Sequence, residues 1–138
     1  MKILVFGNPL VEKDSLALRI MPKLQKIFPE IEFKEFDPSE SLEKEGKHLK
    51  ILDVAEPNFE EVRELNLNSE ESFKVLENSK VYSMHDFDLG YNLKLLKKIG
   101  KIDSVDIICI PCNMPEETAI DQSQFILRKW VAHDMQGS

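Results

Sequence analysis

The chain has 138 residues, of which 42% are hydrophobic and 31% are charged, and its formal net charge is -7. This length suffices for one domain with a single core. The acidic balance argues against non-specific nucleic-acid binding, which requires a basic surface. No apolar run approaches the roughly 20 residues that span a bilayer, and no signal-peptide core is recognisable. We therefore expect one globular, cytoplasmic domain over residues 1–138 that binds neither nucleic acid nor membrane.

The first part of the chain begins with a strand, a turn and a helix. Lys2–Phe6 is a short apolar run typical of a strand, and the helical pattern after it starts near Asp14. The side chains of Asp14 and Ser15 are of the kind that cap the first free amides of a helix. Because Pro22 lies inside the helical pattern, we expect a kink or an early end near Met21.

The next segments continue the alternation of strand and helix. Ile31–Phe36 alternates apolar and charged residues and predicts a strand, Ser39–Gly46 predicts a short polar helix, and His48–Val54 predicts a third strand. This order favours a parallel sheet covered on both faces.

The middle of the chain is less regular. Glu56–Asn68 is acidic and rich in asparagine, and it is interpreted as a loop with one helical turn around Phe59–Leu65. Ser72–Leu76 is a plausible short strand. Since no helix of normal length precedes it, we expect it to run antiparallel at an edge of the sheet.

The last part returns to clear patterns. Leu89–Ile99 predicts a helix that ends at Gly100, and Val105–Ile110 is the most apolar run and predicts a central strand. A final helix is expected from Glu116 onward. The predicted fold is α/β: a three-layer sandwich with a mostly parallel, twisted sheet of about five strands, one antiparallel edge strand, and helices on both faces.

Three side chains that can bind metals occur at predicted strand ends or just before helices. Asp14 follows the first strand, Asp53 ends the third, and His85 precedes the Leu89 helix. The carboxyl ends of parallel strands meet at one sheet edge, so these groups could converge there. Two carboxylates and one imidazole suit nickel, zinc or manganese and leave coordination positions open. The alternative is structural: a helix cap or solvated acid for each aspartate, and a hydrogen-bonded turn residue for His85.

The residues that carry these groups resemble a known family. The Gly-Asn-Pro-Leu turn at Gly7–Leu10, the acid four places later, the strand that ends in Asp53, and the Ser-Met-His sequence at Ser83–His85 are similar to the [NiFe]-hydrogenase maturation proteases. In that family the corresponding acid, aspartate and histidine form a metal site. The resemblance thus implies that Asp14, Asp53 and His85 are the metal ligands and the catalytic residues.

The resemblance also implies a function. Such a protein is a cytoplasmic endopeptidase that removes the C-terminal extension of a [NiFe]-hydrogenase large-subunit precursor after nickel insertion. The nickel would be that of the precursor, and zinc or another divalent ion can substitute for it in a crystal. One hypothesis for the chemistry is that the metal polarises the scissile carbonyl or activates water.

The sequence departs from the family around the first turn. Lys13 occupies the place of the first of two adjacent acids, and Ser15–Leu16 stand where glycine is expected. The loop of glycine and proline that often follows the third strand is replaced by Glu56–Glu61. These changes indicate either a divergent subgroup with its own precursor, which we favour, or a loss of activity.

Two other functions compete with the peptidase. One is a non-proteolytic nickel-binding chaperone for the same precursor. The other is a flavodoxin-like domain for a phosphorylated ligand, which the Gly7–Pro9 turn disfavours because it lacks the run of amides that cradles phosphate.

The two cysteines, Cys109 and Cys112, have the spacing of a redox or zinc half-site. No second pair accompanies them, and they come at the end of a buried strand. Cys109 is therefore interpreted as a buried small hydrophobe and Cys112 as an ordinary loop thiol.

Overall fold

A computed structural model describes residues 1–7, 15–36, 40–55, 60–78 and 89–136. Within these ranges the chain forms five strands, four α-helices and one short 3-10 helix. In chain order they are β1 Lys2–Val5, α1 Leu16–Ile27, β2 Glu32–Glu35, the 3-10 helix Leu42–Glu45, β3 His48–Ala55, β4 Arg63–Leu67, α2 Glu70–Asn78, α3 Leu89–Lys98, β5 Ser104–Pro111 and α4 Glu116–Gln136.

The strands form one sheet in the order β2-β1-β3-β5-β4. β1 pairs in parallel with β2 and β3, and β3 pairs in parallel with β5. The longest ladder joins β3 to β5 and runs from the pair His48–Ser104 to the pair Ala55–Pro111. β4 runs antiparallel to β5 and lies at the edge. The predicted α/β sheet, mostly parallel with one antiparallel edge strand, is confirmed.

Helices cover both faces of the sheet, as predicted. α1 and α4 pack together on one face, and α2 and α3 pack together on the other. Side chains alternate along each strand, so neighbouring residues of β3 enter different cores: Leu52 and Val54 contribute to the α1/α4 core, and Ile51 and Ala55 to the α2/α3 core. Burial on both sides explains why the inner strands are almost continuously apolar.

The edge strand lies earlier in the chain than predicted. Ser72–Leu76 is part of helix α2, and the antiparallel strand is Arg63–Leu67, inside the segment interpreted as a loop with a helical turn. Leu65 and Leu67 alternate there with polar residues, which is the period of a strand with one wet face. The prediction of an antiparallel edge strand was right in kind and wrong in position.

The start of α2 explains the error. Ser69 Oγ accepts a hydrogen bond from the backbone N–H of Ser72 at 3.2 Å, and the Ser69 carbonyl accepts one from the N–H of Phe73. Glu70 and Glu71 occupy the first turn, where the helix dipole favours acids. This capping arrangement makes the segment helical despite its strand-like composition.

Two further predictions concern helix α1. The helix continues through Pro22 to Ile27, so the early end near Met21 was wrong. Ser15 precedes the helix but makes no capping hydrogen bond; its hydroxyl accepts one from Arg19 Nε at 3.0 Å.

Among the described helices, α4 included, none is both long and apolar enough to cross a membrane.

A polar contact attaches the edge strand to α4. Glu64 of β4 accepts hydrogen bonds from Trp130 Nε1 at 2.7 Å, from Asn66 Nδ2 at 3.0 Å, and from Lys129 Nζ. Burial raises the pKa of Glu64, but these donors outweigh it, and the net effect is a pKa below the ordinary value of 4.5. The charged form of Glu64 therefore stabilises the fold.

We predict that Glu64→Gln lowers the free energy of unfolding by about 1.5–3 kcal/mol at neutral pH, the usual range for a hydrogen bond to a charged group. Because the pKa of Glu64 is lowered on folding, its contribution is present above 4.5 and is lost as the pH falls through the folded value. Urea unfolding across this range should show the difference between wild type and variant shrinking in acid. The control is Glu30→Gln, at an exposed position; an equal effect there, or a difference independent of pH, would contradict the assignment.

Candidate functional site

Asp53 is a buried carboxylate near the carboxyl end of β3. It is 4% exposed, and its Oδ1 accepts a hydrogen bond from the backbone N–H of Val54 at 2.8 Å. Its neighbours on the same side of the strand, Ile51 and Ala55, belong to the α2/α3 core. Because acidic side chains are seldom this buried without a role or a partner, Asp53 stands out on an otherwise apolar strand end.

The register of the sheet places Asp53 in a row of side chains that crosses three strands, β3, β5 and β4, and continues through the residues that directly follow β1 and β2. Cys109 of β5 lies directly opposite Asp53, and Arg63 of β4 lies opposite Cys109. On the other side, Phe6 follows β1 and donates its N–H to the Leu52 carbonyl, while its ring stacks on Phe36 at 4.9 Å. We call this set the transverse row; its members are Phe36, Phe6, Asp53, Cys109 and Arg63.

The charges of the transverse row act on Cys109. Burial raises the pKa of its thiol strongly, the carboxylate of Asp53 raises it further, and Arg63 offsets part of this effect. Cys109 is 5% exposed and remains a protonated thiol at neutral pH. Since the thiolate is the nucleophilic form of cysteine, Cys109 is not suited to attack a substrate.

The two cysteines point to different sides of the sheet. Cys109 belongs to the α2/α3 core, whereas Cys112 packs against the α1/α4 core. They are not joined in a disulfide. The interpretation of Cys109 as a buried small hydrophobe is confirmed, and the spacing of the pair does not form a dithiol site.

The beginnings of α1 and α4 meet at the same sheet edge. Arg19 Nε donates to Ser15 Oγ, and Arg19 Nη1 donates to Glu116 Oε1 at 2.9 Å. Ser15 is 7% exposed. Ser15, which follows Asp14 in the chain, is thus fixed at the edge of the sheet where β3 ends.

Of the three predicted metal ligands, the structure describes Asp53. Asp14 and His85 lie outside the described residues, as do the turn at 8–14 and the segment 79–88. Among the described residues, no three or more His, Cys, Asp or Glu side chains are grouped so that they could hold a metal ion. Asp53 fits an oxygen ligand of a divalent cation in its chemistry and its place at the carboxyl end of β3. The three-residue site stays a prediction.

Sequence reasoning missed Arg63 as a neighbour of this site. Arg63 lies in the segment Glu56–Asn68, which was interpreted as a loop with one helical turn. No pairing of Arg63 with a residue of β5 was therefore predicted. The alternation that ends in Leu65 and Leu67 was the signal that could have revealed the strand. The positive charge of Arg63 lowers the pKa of Cys109 and so offsets part of the effect of burial and of Asp53.

No family profile and no curated protein matches the sequence. Solved structures do match it. The chain is similar to the hydrogenase maturating endopeptidase HybD from E. coli, with 22% identity, coverage of 94% of this chain and 93% of that one, and a TM-score of 0.59.

Two other solved structures show the same similarity. One is an endopeptidase from Escherichia coli, 21% identical, with 94% and 93% of the two chains covered and a TM-score of 0.57. The other is a hydrogenase 2 maturation peptidase from a Thaumarchaeota archaeon, 18% identical, with 95% and 98% covered and a TM-score of 0.57. At these identities the similarity shows a shared fold over nearly the whole chain. Two of the three structures are named as hydrogenase maturation peptidases, which is the family that the sequence resembles.

The placement of the cysteines predicts different thiol reactivities. In the Cys112→Ser variant, Cys109 should react with a thiol reagent more than about tenfold slower than Cys112 does in the Cys109→Ser variant. The reason is that a buried, protonated thiol reacts only when the fold opens locally. Absorbance-monitored labelling measures both rates, and labelling in denaturant should make them similar. Equal rates in the folded proteins would contradict the placement of Cys109.

Proposed function

We propose that this chain is a cytoplasmic endopeptidase that removes the C-terminal extension of a [NiFe]-hydrogenase large-subunit precursor after nickel insertion. The observation that carries the proposal is the buried carboxylate of Asp53 at the carboxyl end of β3. In open α/β sheets that edge is where ligands bind. The sequence resemblance assigns a metal ligand to this same residue, and the fold is that of solved hydrogenase maturation endopeptidases.

Nickel belongs in this proposal to the substrate. It arrives bound to the precursor, and Asp53, Asp14 and His85 provide the oxygen and nitrogen ligands that recognise it. A set of three protein ligands leaves positions for groups of the precursor. Zinc or another divalent ion of similar preference can take the same ligands.

The described residues around Asp53 support a role in holding a cation. The α2/α3 core keeps the carboxylate away from bulk water, and a charge interaction is stronger in such surroundings. Cys109 is neutral because its pKa is raised, so it adds no second negative charge next to Asp53.

We predict that Asp53→Asn abolishes release of the extension, because the variant keeps the size of the side chain and removes the charge that binds the cation. The assay incubates the protein with nickel-loaded precursor and detects the released peptide by mass spectrometry. The matched control is Asp103→Asn, which makes the same change at an exposed position before β5. Circular dichroism confirms that both variants are folded.

The outcomes separate the proposal from its alternatives. Full release by Asp53→Asn would contradict the role of Asp53. If the wild-type protein binds nickel-loaded precursor and releases no peptide, while Asp53→Asn loses that binding, the protein is a nickel-binding chaperone and the peptidase proposal is wrong.

We also predict a pH dependence of metal affinity. Imidazole must be neutral to bind a metal, so affinity for zinc or nickel should fall as the pH drops through about 6.5, the ordinary value for histidine. Isothermal titration calorimetry of the wild type and of His85→Ala measures this dependence. The variant should bind more weakly and should lose the dependence near that pH; an unchanged profile would remove His85 from the ligand set.

A further inference from the structure

A cavity of about 220 Å³ lies between α2 and α3, and lysine side chains surround it. We call it the lysine cavity. Its described lining residues are Glu70, Phe73, Lys74, Lys94, Lys97 and Lys98. Glu70 is the one carboxylate among them. Among the lining residues that the structure describes, four positive side chains thus face a single negative one, on a chain whose net charge is -7.

The sequence produces this cluster through helix geometry. Lys94, Lys97 and Lys98 are separated by three and four positions, so they lie on one side of α3. Lys74 faces them from α2, which packs against α3. Two helices therefore bring together four residues of like charge at one cavity.

The lining of the cavity is mixed, with somewhat more apolar than polar surface. Phe73 of α2 lines it and is fully buried in the α2/α3 core. Lysine stems are aliphatic, so they extend this apolar surface while the ammonium groups remain at the rim in water. A ligand that fits has an apolar group for the centre and negative charges around it.

The lysine cavity is separate from the transverse row. Lys97 Nζ donates to the backbone carbonyl of Asp103, just before β5 begins, at 3.1 Å. Glu70 follows β4 at the same edge, because Leu67 pairs with Val105. Cys109, which pairs with Arg63 in the transverse row, lies four residues after Val105 along β5. This is a distance of roughly 13 Å at about 3.3 Å per residue. The cavity is thus at the amino edge of β5, and Asp53 is near the opposite edge.

We propose that the lysine cavity is a docking site for an acidic segment of a protein partner. An apolar side chain of the segment packs against the aliphatic lysine stems above the buried Phe73, and carboxylates on either side pair with the ammonium groups. The proposal does not rest on the peptidase activity. A short segment fits better than nucleic acid, because a long polyanion would also meet the acidic remainder of the chain.

The test uses a fluorescein-labelled peptide in which glutamates flank a central pair of leucines, and measures its binding to the full chain by fluorescence anisotropy. The peptide should bind at low salt, and added sodium chloride should weaken binding because it screens surface charges. A matched peptide with glutamines in place of the glutamates should bind at least about tenfold more weakly.

Charge reversal locates the site on the chain. Lys74→Glu/Lys98→Glu changes two exposed cavity lysines and should weaken binding at least about tenfold. The control, Lys26→Glu/Lys44→Glu, makes the same change in charge at exposed positions outside the cavity and should alter binding less than about twofold. Urea unfolding checks both proteins. If the charge reversal prevents folding, Lys74→Gln/Lys98→Gln provides the same comparison.

Several results would overturn the proposal. Equal losses in the cavity and control variants would show that only the overall charge matters. Equal binding of the glutamate and glutamine peptides would exclude pairing with carboxylates. Displacement of the acidic peptide by millimolar inorganic phosphate, or by an equal concentration of a DNA duplex, would assign the cavity to a small anion or to nucleic acid.

Discussion

The parallel pairing of β3 with β5 is the constraint on which the rest of the structure depends. Both strands have partners on each side, and both faces of the sheet are covered by helices. In the inner part of both strands each side chain therefore enters one core or the other, and polar residues lie near the strand ends. Asp53 follows this pattern, because it lies two residues before the end of β3 and faces the α2/α3 core. The pairing that builds the core also fixes where the buried carboxylate lies.

The antiparallel direction of β4 determines which of its residues comes near Asp53. A strand that runs against its neighbours presents its first residues at the edge where they end. Arg63 is the first residue of β4 and therefore joins the row of Cys109 and Asp53. The hydrogen bonds of Glu64 to Trp130 and Lys129 hold this strand against α4. The contact of Glu64 with α4 on one face of the sheet thus keeps the charged side chain of Arg63 in place on the other face.

The sequence predicted the inner part of the fold and the location of Asp53, because long apolar runs are restrictive: a segment such as Val105–Ile110 fits few places other than a buried strand. It did not predict the edge strand correctly. Ser72–Leu76 has a strand-like composition, but the cap at Ser69 makes it helical, and a local hydrogen bond outweighs a weak propensity. Arg63 was missed for the same reason, since a register exists only once the strand is placed. The grouping of Asp14 and His85 with Asp53 stays a prediction.

The two proposed sites lie at opposite edges of the sheet, and this separation limits what can occupy both. Leu67 pairs with Val105 beside the lysine cavity, and Arg63 pairs with Cys109 in the transverse row, so the two sites are four residues apart along β5, roughly 13 Å at about 3.3 Å per residue. About four extended residues of a polypeptide span this distance. A partner with an acidic segment on one part and a bound cation on another would match the positive charge of the lysine cavity and the negative charge of Asp53 at once. Because the charges of the two sites are opposite, such a partner can bind in one orientation only.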